Sequence, residues 1–177
     1  RETMRHKMKH LTRAMLIVSA LALAACSQNE RFDNDVALGG AGANGAIVPG
    51  SANDPTSPLY FQSAVGDRVL FAVDQHTLSD AARLTLNAQA QWLMANPDYT
   101  AVIEGHADEQ GTREYNLALG GRRANAAREY LITQGVSPAR LRTVTYGKER
   151  PIEICSVESC YAKNRRAVTV LAAGAIS

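Results

Sequence analysis

A stretch without helical or strand periodicity limits how much of this chain can form a folded domain. Residues 38–58 read LGGAGANGAIVPGSANDPTSP and are rich in glycine, alanine, asparagine and proline. Such a composition cannot bury enough apolar surface to offset the entropy of ordering the chain, so it predicts a flexible linker. Of the 177 residues, 59–177 then remain for a core. That length suits one domain of ordinary size and leaves no residues for a second.

The segment before the linker predicts an export signal. Residues 5–13, RHKMKHLTR, are basic, and residues 14–25, AMLIVSALALAA, are continuously apolar. The apolar run is too short to cross a membrane but has the length of the hydrophobic region of a signal peptide. A buried core helix is the other interpretation of such a run.

The end of the apolar run favours the signal peptide. It stops at Leu-Ala-Ala-Cys, which resembles a bacterial lipobox, in which the cysteine is acylated and becomes the new N-terminus. We therefore predict a lipoprotein signal peptide at residues 1–25, a lipidated Cys26, and a linker that extends over 26–58.

Removal of the predicted signal reverses the sign of the net charge. The whole chain has 19 basic and 17 acidic side chains. Five of the basic residues and one of the acidic residues lie in residues 1–25, so the mature chain keeps 14 and 16 and has a formal charge of −2. The mature chain therefore lacks the broad basic surface that is typical of nucleic-acid-binding domains.

Two further cysteines lie close together near the end of the chain. Cys155 and Cys160 are separated by four residues. In an oxidising compartment this short spacing predicts a disulfide. Half of a zinc site is the alternative, but neither a second CxxC motif nor a nearby histidine supplies the remaining ligands.

The periodicity of residues 59–177 predicts an α/β domain. Ser79 followed by Asp80 predicts the start of a helix, and Gly135 predicts the left-handed residue that ends another. The order strand–helix–strand–helix–strand–strand predicts a two-layer sandwich in which two main helices pack on a mixed sheet of about four strands. The predicted strands are 68–73, 100–105, 141–147 and 166–172, and the predicted helices extend from 80 to 96 and from 112 to 134.

The buried face of the first helix can also be predicted from spacing. Ala81, Ala88, Trp92 and Ala95 recur near the helical period. We expect these four side chains to face the sheet.

The stretch EGHADEQGTREYN, residues 104–116, contains the side chains best suited to metal binding or catalysis. His106, Asp108 and Glu109 suggest a metal site or a catalytic acid pair. The two acids are adjacent, however, and neither HExxH nor EF-hand spacing occurs. No motif pairs a serine or cysteine nucleophile with a histidine. Binding is thus favoured, with His106 as a structural residue at the end of a strand and Glu109 as a solvated neighbour.

Helix geometry suggests what could be bound. Asn116 and Arg123 are seven positions apart and project from the same helix face, with Leu119 and Gly120 between them and Asp108 in the preceding loop. A carboxylate opposite a guanidinium suits a zwitterionic ligand, because each charge finds its partner. An exposed salt bridge between Asp108 and Arg123, which would contribute under ~1 kcal/mol, fits the same pattern. The residues alone leave both interpretations open.

Two consecutive glycines interrupt the same helix. Gly120 and Gly121 each cost about 1 kcal/mol relative to alanine in a helix interior. The close approach of a second backbone or of a ligand would account for that cost.

Three long motifs resemble one family. The segments EGHADEQGTREYNLALGGRRANAAREYL, VTYGKERP and YAKNRRAVTV resemble the OmpA-like peptidoglycan-binding domain, and the resemblance extends over roughly Val69–Leu171. With the lipobox and linker, the chain resembles the lipoproteins of this family that belong to the Tol–Pal system. The resemblance implies an OmpA-like fold without enzymatic activity. It also implies non-covalent binding of peptidoglycan through the meso-diaminopimelate of the peptide stem.

The family's binding residues can be placed on this sequence. The aspartate of its GH-x-D segment and the arginine of its L-x-x-x-R-A segment clamp meso-diaminopimelate, and these positions fall on Asp108 and Arg123. The remaining positions at which the resemblance implies peptidoglycan contacts are Asp74, Ala107 through its backbone, Tyr115, Asn116 and Leu119.

Two other positions bear on the same site. Val73 replaces an aromatic residue that is common in the family, which predicts a weaker wall for the binding groove. Residues 164–166 match the family's last motif, and both ligand contact and simple packing at the final strand are compatible with that match.

The resemblance also implies a location and partners. It places the protein on the periplasmic face of the outer membrane, held by lipid on Cys26, with Tol system proteins, chiefly the periplasmic propeller protein TolB, as partners. No cofactor, metal or nucleic acid is expected. The alternatives are a metal-dependent amidase or peptidase that acts on peptidoglycan and an adaptor that binds only proteins.

Overall fold

The computed structural model describes residues 47–154 and 156–173. The predicted signal peptide, Cys26, Cys155 and most of the linker lie outside these residues, so the cleavage, lipidation and disulfide remain predictions. Within the described part of the chain, no helix is both long enough and apolar enough to cross a membrane.

Four strands and two long helices follow one another in the predicted order. Four short elements were not predicted: the turn of helix that opens the domain, the π-helical segment that continues it, a 3-10 turn before the third strand and a helix before the last strand. In chain order the elements are α1 (Pro58–Tyr60), the π-helical segment (Phe61–Gly66), β1 (Arg68–Leu70), α2 (Asp80–Ala95), β2 (Tyr99–His106), α3 (Arg113–Thr133), a 3-10 turn (Pro138–Arg140), β3 (Leu141–Gly147), α4 (Glu158–Asn164) and β4 (Arg166–Ala173).

The four strands form one mixed sheet with the order β1-β4-β2-β3. β4 is antiparallel to both β1 and β2, whereas β2 and β3 are parallel. The parallel pair is connected through α3, as a βαβ crossover requires. In this register Ile103 of β2 lies between Thr169 of β4 and Thr143 of β3. The predicted two-layer α/β fold is confirmed.

One apolar core lies between the two long helices and the sheet. Leu86 and Leu93 of α2, Ile103 of β2 and Leu131 of α3 are fully buried in it. Truncation of such side chains to alanine typically costs 2–5 kcal/mol. This core fixes the position of α3 on β2, and therefore the position of the residues between them.

The predicted buried face of α2 was wrong in part. Trp92 is buried as expected, but Ala81 and Ala95 are exposed. The larger apolar side chains at Leu86 and Leu93 gain more from burial than alanine does, and they rotate the helix so that their stripe faces the core.

The two long helices begin and end with side-chain and backbone caps. Ser79 Oγ accepts from the backbone N–H of Ala82 at 3.2 Å, and Thr112 Oγ1 accepts from that of Tyr115 at 3.2 Å. Gly135 adopts φ +103°, a left-handed conformation that favours glycine, directly after α3. The predicted caps at Ser79 and Gly135 are therefore confirmed.

The last residues of the predicted linker pack against the domain. Ser57 Oγ donates to the carbonyl of Ser51 at 2.6 Å and accepts from the N–H of Tyr60 at 3.0 Å. The indole N–H of Trp92 donates to the carbonyl of Pro55 at 2.7 Å. Residues 51–57 are thus part of the hydrogen-bonded structure, which begins before the predicted boundary at residue 58.

A close backbone contact joins α3 to β2. A Cβ atom on Gly105 would lie 1.8 Å from the carbonyl oxygen of Gly120, and one on Gly120 would lie 2.5 Å from Thr145 Oγ1. Both distances are too short for any side chain. The interpretation of Gly120 as a point of backbone approach is confirmed, whereas a Cβ on Gly121 would meet nothing closer than Thr145 at 4.0 Å.

The adjacent glycines allow a matched test of this contact. We expect Gly120→Ala to lower the free energy of unfolding by roughly 1–3 kcal/mol, because α3 must move away from β2. Gly121→Ala should raise it by up to about 1 kcal/mol, because alanine favours the helix and meets no obstruction. Urea unfolding of both variants measures the difference, and equal effects would contradict the proposed contact.

Candidate functional site

A groove of about 260 Å³ lies where β2 ends and α3 begins. Five of the residues that the sequence predicted to bind peptidoglycan line this groove: Asp74, Asp108, Tyr115, Asn116 and Leu119. Val73, Gln110 and Gly111 complete its lining. Residues from the loop after β1, the loop after β2 and the first two turns of α3 are thus brought together.

The loop between β2 and α3 is held in shape by its own polar groups. Asp108 Oδ1 accepts from the backbone N–H of Gln110 at 3.3 Å, and Asn116 Nδ2 donates to the carbonyl of Gln110 at 2.8 Å. Gly111 adopts φ +93°, which allows the chain to turn into the helix. The loop therefore presents Asp108 and Asn116 to the same groove.

The backbone next to Asp108 is engaged with the sheet. The N–H of Ala107 donates to the carbonyl of Gly147 at 2.8 Å, and the Ala107 side chain is buried. Ala107 is not among the residues that line the groove. Its N–H already has a partner, so the backbone at Ala107 attaches the loop to the end of β3.

Two carboxylates, Asp74 and Asp108, are among the residues that line the groove. Asp74 is exposed, adopts φ +55°, and accepts a hydrogen bond from the hydroxyl of Tyr115, which raises the pKa of that hydroxyl. Asn116 is almost fully buried, and its Oδ1 has no hydrogen-bond partner among the described residues. A buried acceptor without a partner is costly, so this oxygen is a local cost to the stability of the loop.

Arg123 lies behind the groove rather than in it. Its side chain has no exposed surface. Nε donates to the carbonyl of Gln75 at 2.8 Å, Nη1 to that of His106 at 2.9 Å, and Nη2 to that of Ala72 at 3.2 Å. The guanidinium also lies 5.3 Å from the ring centroid of Phe71. Arg123 thus joins the loop after β1 to the end of β2.

This position corrects both expectations for the Asp108–Arg123 pair. The expected open clamp requires a guanidinium that faces the ligand, and the alternative requires an exposed ion pair, yet Arg123 is buried and donates to three carbonyls. Helical spacing placed Arg123 on the correct face of α3, but it did not predict how deeply that side chain is buried. Burial lowers the pKa of Arg123 to about 10, so the side chain remains charged at neutral pH.

The ion-pair partner of Asp108 is Arg165. Arg165 Nη1 lies 3.1 Å from Asp108 Oδ2, and both side chains are almost fully buried. The same guanidinium contacts Glu158 on α4 and donates from Nε to the carbonyl of Phe71 at 3.1 Å. Sequence analysis left the role of residues 164–166 open. Arg165 combines packing at the start of β4 with a charge contact at the groove.

Sequence reasoning named Arg165 as part of the family's last motif but did not connect it with Asp108, and it did not assign Gln110 or Gly111 to the groove. Arg165 is 57 positions from Asp108, so no helical or strand period connects the two. The available signal was indirect: a carboxylate that becomes buried requires a cation, and the NRR segment offered two.

Glu109 is exposed, as expected, and it also accepts hydrogen bonds from the segment around α4. Its Oε1 accepts from the hydroxyl of Tyr161 at 2.8 Å and from Ser156 Oγ at 3.3 Å. Lys148 Nζ donates to the carbonyl of Gly111 at 2.8 Å. These bonds connect the rim of the groove to α4 and to the loop before it.

His106 confirms the structural role predicted for it and lies away from the groove. Its ring is buried, 5.6 Å from that of Tyr146, and Nε2 lies 3.5 Å from a Glu104 carboxylate oxygen. Burial, followed by the positive charges of Arg166 and Arg150, lowers the pKa of His106 to about 4. His106 and Asp108 therefore do not converge, and within residues 47–154 and 156–173 no group of three His, Cys, Asp or Glu side chains could hold a metal ion.

Comparison with known proteins gives consistent matches. Residues 70–165 match the OmpA family. Over 155 residues the chain is 52% identical to a protein named peptidoglycan-associated lipoprotein from Rhizobium meliloti, which covers 88% of this chain and 84% of that protein. It is 50% identical over 155 residues to the protein of that name from Mesorhizobium japonicum, covering 88% of each.

A solved structure supports the same assignment. The crystal structure of the peptidoglycan-associated lipoprotein from Burkholderia pseudomallei is similar to this chain, with a TM-score of 0.61 and 40% sequence identity. The match covers 68% of this chain and 98% of that one.

The burial of Arg123 predicts a structural effect of its removal. We expect Arg123→Ala to lower the free energy of unfolding by roughly 3 kcal/mol or more, because three carbonyls lose their donor. Arg122→Ala, at the exposed neighbouring position, should change it by less than about 1 kcal/mol. Chemical denaturation compares the two, and a stable, fully folded Arg123→Ala variant would contradict this structural role.

The depressed pKa of His106 predicts how stability depends on pH. The unfolded chain binds a proton near pH 6.5 and the folded chain only near pH 4, so the free energy of unfolding should fall as pH decreases through that window. The contribution is roughly 3 kcal/mol and is fully lost only below both values.

Urea unfolding between pH 7 and 4 measures this contribution. His106→Gln should flatten the dependence, and His76→Gln, at an exposed position, should leave it as in the unaltered protein. Identical pH profiles for all three proteins would show that His106 does not titrate as described.

Proposed function

The chain belongs to the OmpA family and, within it, to the peptidoglycan-associated lipoproteins, and from this premise we propose that it binds peptidoglycan without cleaving it. The bound group is the meso-diaminopimelate of the peptide stem. Binding would connect the outer membrane to the cell wall as part of the Tol–Pal system, which serves envelope integrity and cell division.

The observation that carries this proposal is the set of acceptors in the groove. The side chains of Asp74, Asp108 and Asn116 all belong to its lining, and two of the three are carboxylates. The free end of meso-diaminopimelate has an ammonium group, which donates up to three hydrogen bonds, and charge-assisted bonds to carboxylates are the strongest of this kind. The groove therefore offers the ammonium the partners it requires.

The apolar walls complete the fit. Leu119, which is buried, and Val73, which is half exposed, line the same groove. They would contact the methylene chain of the ligand, and such contacts gain free energy in proportion to the apolar area removed from water. With about 260 Å³, the groove suits the end of one amino-acid side chain rather than a saccharide strand.

The lining residues favour binding over hydrolysis. The groove is lined by no serine, cysteine or histidine in the described part of the chain. Its two carboxylates already have partners, since Asp108 contacts Arg165 and Asp74 accepts from Tyr115. A hydrolytic reaction needs an activated nucleophile or a metal-bound water, and neither is supported by this arrangement.

The anchor and partners of this function rest on the sequence. Acyl chains on Cys26 would hold the protein in the outer membrane on its periplasmic face, and two or more chains are needed for stable attachment. The linker would allow the domain to reach the cell wall. Tol proteins, chiefly TolB, would contact a surface that overlaps the groove.

Substitution of the groove carboxylates tests the proposal. We expect Asp108→Asn to abolish co-sedimentation with isolated sacculi and Asp74→Asn to weaken it, because each removes a charged acceptor from the ammonium. Asp74 is exposed, so its variant separates ligand binding from folding. Asp98→Asn, at an exposed position outside the groove, is the matched control and should bind as the unaltered protein does.

The same assay distinguishes the two alternatives. Normal co-sedimentation of both groove variants would contradict the proposed site. Bound zinc together with release of muropeptides from the sacculi would indicate an amidase or peptidase. Retained TolB binding by a protein that never sediments with sacculi would indicate an adaptor.

A further inference from the structure

Three consecutive carbonyl groups of the loop between β2 and α3 accept hydrogen bonds from side chains outside that loop. The carbonyl of Gln110 accepts from Asn116 Nδ2 at 2.8 Å. The carbonyl of Gly111 accepts from Lys148 Nζ at 2.8 Å, and that of Glu109 accepts a longer bond from the same nitrogen at 3.4 Å. Gln110 and Gly111 line the groove, whereas Lys148 does not. A lysine outside the groove therefore holds part of its wall.

Lys148 directly follows β3, in a turn that is itself fixed by backbone contacts. Gly147, the last residue of β3, adopts φ +51°, and its carbonyl accepts from the N–H of Ala107 at 2.8 Å. The N–H of Glu149 donates to the carbonyl of Tyr146 at 3.0 Å, which closes the turn. The backbone of Lys148 is thus held next to the loop whose carbonyls its side chain reaches.

The ammonium group of Lys148 serves the backbone rather than an acid. The side chain is half-buried, and among residues 47–154 and 156–173 no carboxylate forms an ion pair with it. An ammonium group has three hydrogens to donate, and a charged donor forms stronger hydrogen bonds than a neutral one. Its two bonds to the loop therefore favour one conformation of the loop backbone.

The conformation of this loop determines where Asp108 lies. Asp108 Oδ1 accepts from the N–H of Gln110 at 3.3 Å, so the carboxylate and the loop backbone move together. Gly111, two residues before α3, adopts φ +93°, a conformation that the chain reaches only if the turn is held. Binding groups need to be held within about 0.5 Å of their productive positions by the groups around them. Bonds that fix the loop are therefore bonds that fix the groove.

We propose that Lys148 is a positioning residue for the groove, which holds the loop of residues 108–111 in its binding conformation without touching the ligand. This inference rests on the proposed function, because it takes the diaminopimelate end of the peptide stem as the ligand. It gives a role to the VTYGKERP segment, residues 144–151, none of which lines the groove.

Hydrogen exchange of the full mature chain without ligand tests whether Lys148 holds the loop. Lys148→Met keeps the length of the side chain and removes its donors, so we expect the backbone amide of Gln110 to exchange about five- to tenfold faster. The amide of Ile103, in the middle of β2, should change far less, because the effect is local. Lys148→Arg keeps the donors and should restore slow exchange at Gln110.

A matched control is available on α4. Lys163 is exposed and pairs with Glu153 at 2.9 Å, away from the loop. Lys163→Met removes the same ammonium group from the chain and should leave the exchange of the Gln110 amide unchanged.

Calorimetric titration with L-alanyl-γ-D-glutamyl-meso-diaminopimelate tests the consequence for binding. We expect Lys148→Met to bind this peptide about three- to tenfold more weakly than the unaltered protein, because the loop no longer keeps Asp108 in place. Lys148→Arg should stay within about twofold of the unaltered protein, and Lys163→Met should bind normally.

Two results would overturn the inference. If Lys148→Met leaves the exchange of the Gln110 amide unchanged, or speeds that of Ile103 by the same factor, Lys148 does not hold the loop specifically. If exchange at Gln110 rises while the peptide binds as tightly as before, the position of the loop does not govern binding.

Asp108→Asn separates this inference from the proposed function. If Asp108→Asn keeps full affinity for the peptide, the groove is not the binding site and the proposed function fails, whatever the effect of Lys148→Met. If Asp108→Asn abolishes binding and Lys148→Met binds as the unaltered protein does, the proposed function stands and only the role of Lys148 is overturned.

Discussion

The buried guanidinium of Arg123 is the interaction on which the groove depends. Removing a cation from water is costly unless every donor finds an acceptor, and here the backbone carbonyls of Ala72, Gln75 and His106 supply three. Those carbonyls belong to the loop after β1 and to the end of β2, and Arg165, which contacts Phe71 and Asp108, adds a second link between the segments that follow the two strands. The guanidinium of Arg123 on α3 thus holds these two segments in a fixed arrangement. That arrangement positions Asp74 and Asp108.

A second arginine completes the electrostatics of the site. With Arg123 and Arg165 behind the groove and the carboxylates of Asp74 and Asp108 at its lining, each acid lies in front of positive charge. The surface that a ligand meets is therefore rich in acceptors, while the opposite charge is close beneath it. The two buried guanidinium groups thus offset the negative charge of the groove carboxylates from beneath the surface.

Local signals in the sequence predicted the elements but not the depth of their side chains. Ser79 and Gly135 marked helix ends correctly because capping depends on a few neighbouring residues. The family resemblance located most of the groove lining, since the motif fixes which positions meet after β2. The burial of Arg123 and its contact with the loop after β1 are set by how closely α3 approaches β2 at Gly120, which no local pattern specifies.

The least predictable feature, the contact of Arg165 with Asp108 and Glu158, couples the groove to the end of the domain. Glu158 lies on α4, a helix with no strong sequence signal, and Tyr161 of that helix also donates to Glu109 on the groove rim. Two hydrogen-bonded connections therefore link α4 to the loop that carries Asp108. Because the loop before α4 is exposed, its residues can change with little effect on the core, yet any change that moves α4 alters the electrostatics at Asp108. The proposed groove can thus be tuned from a segment that does not line it.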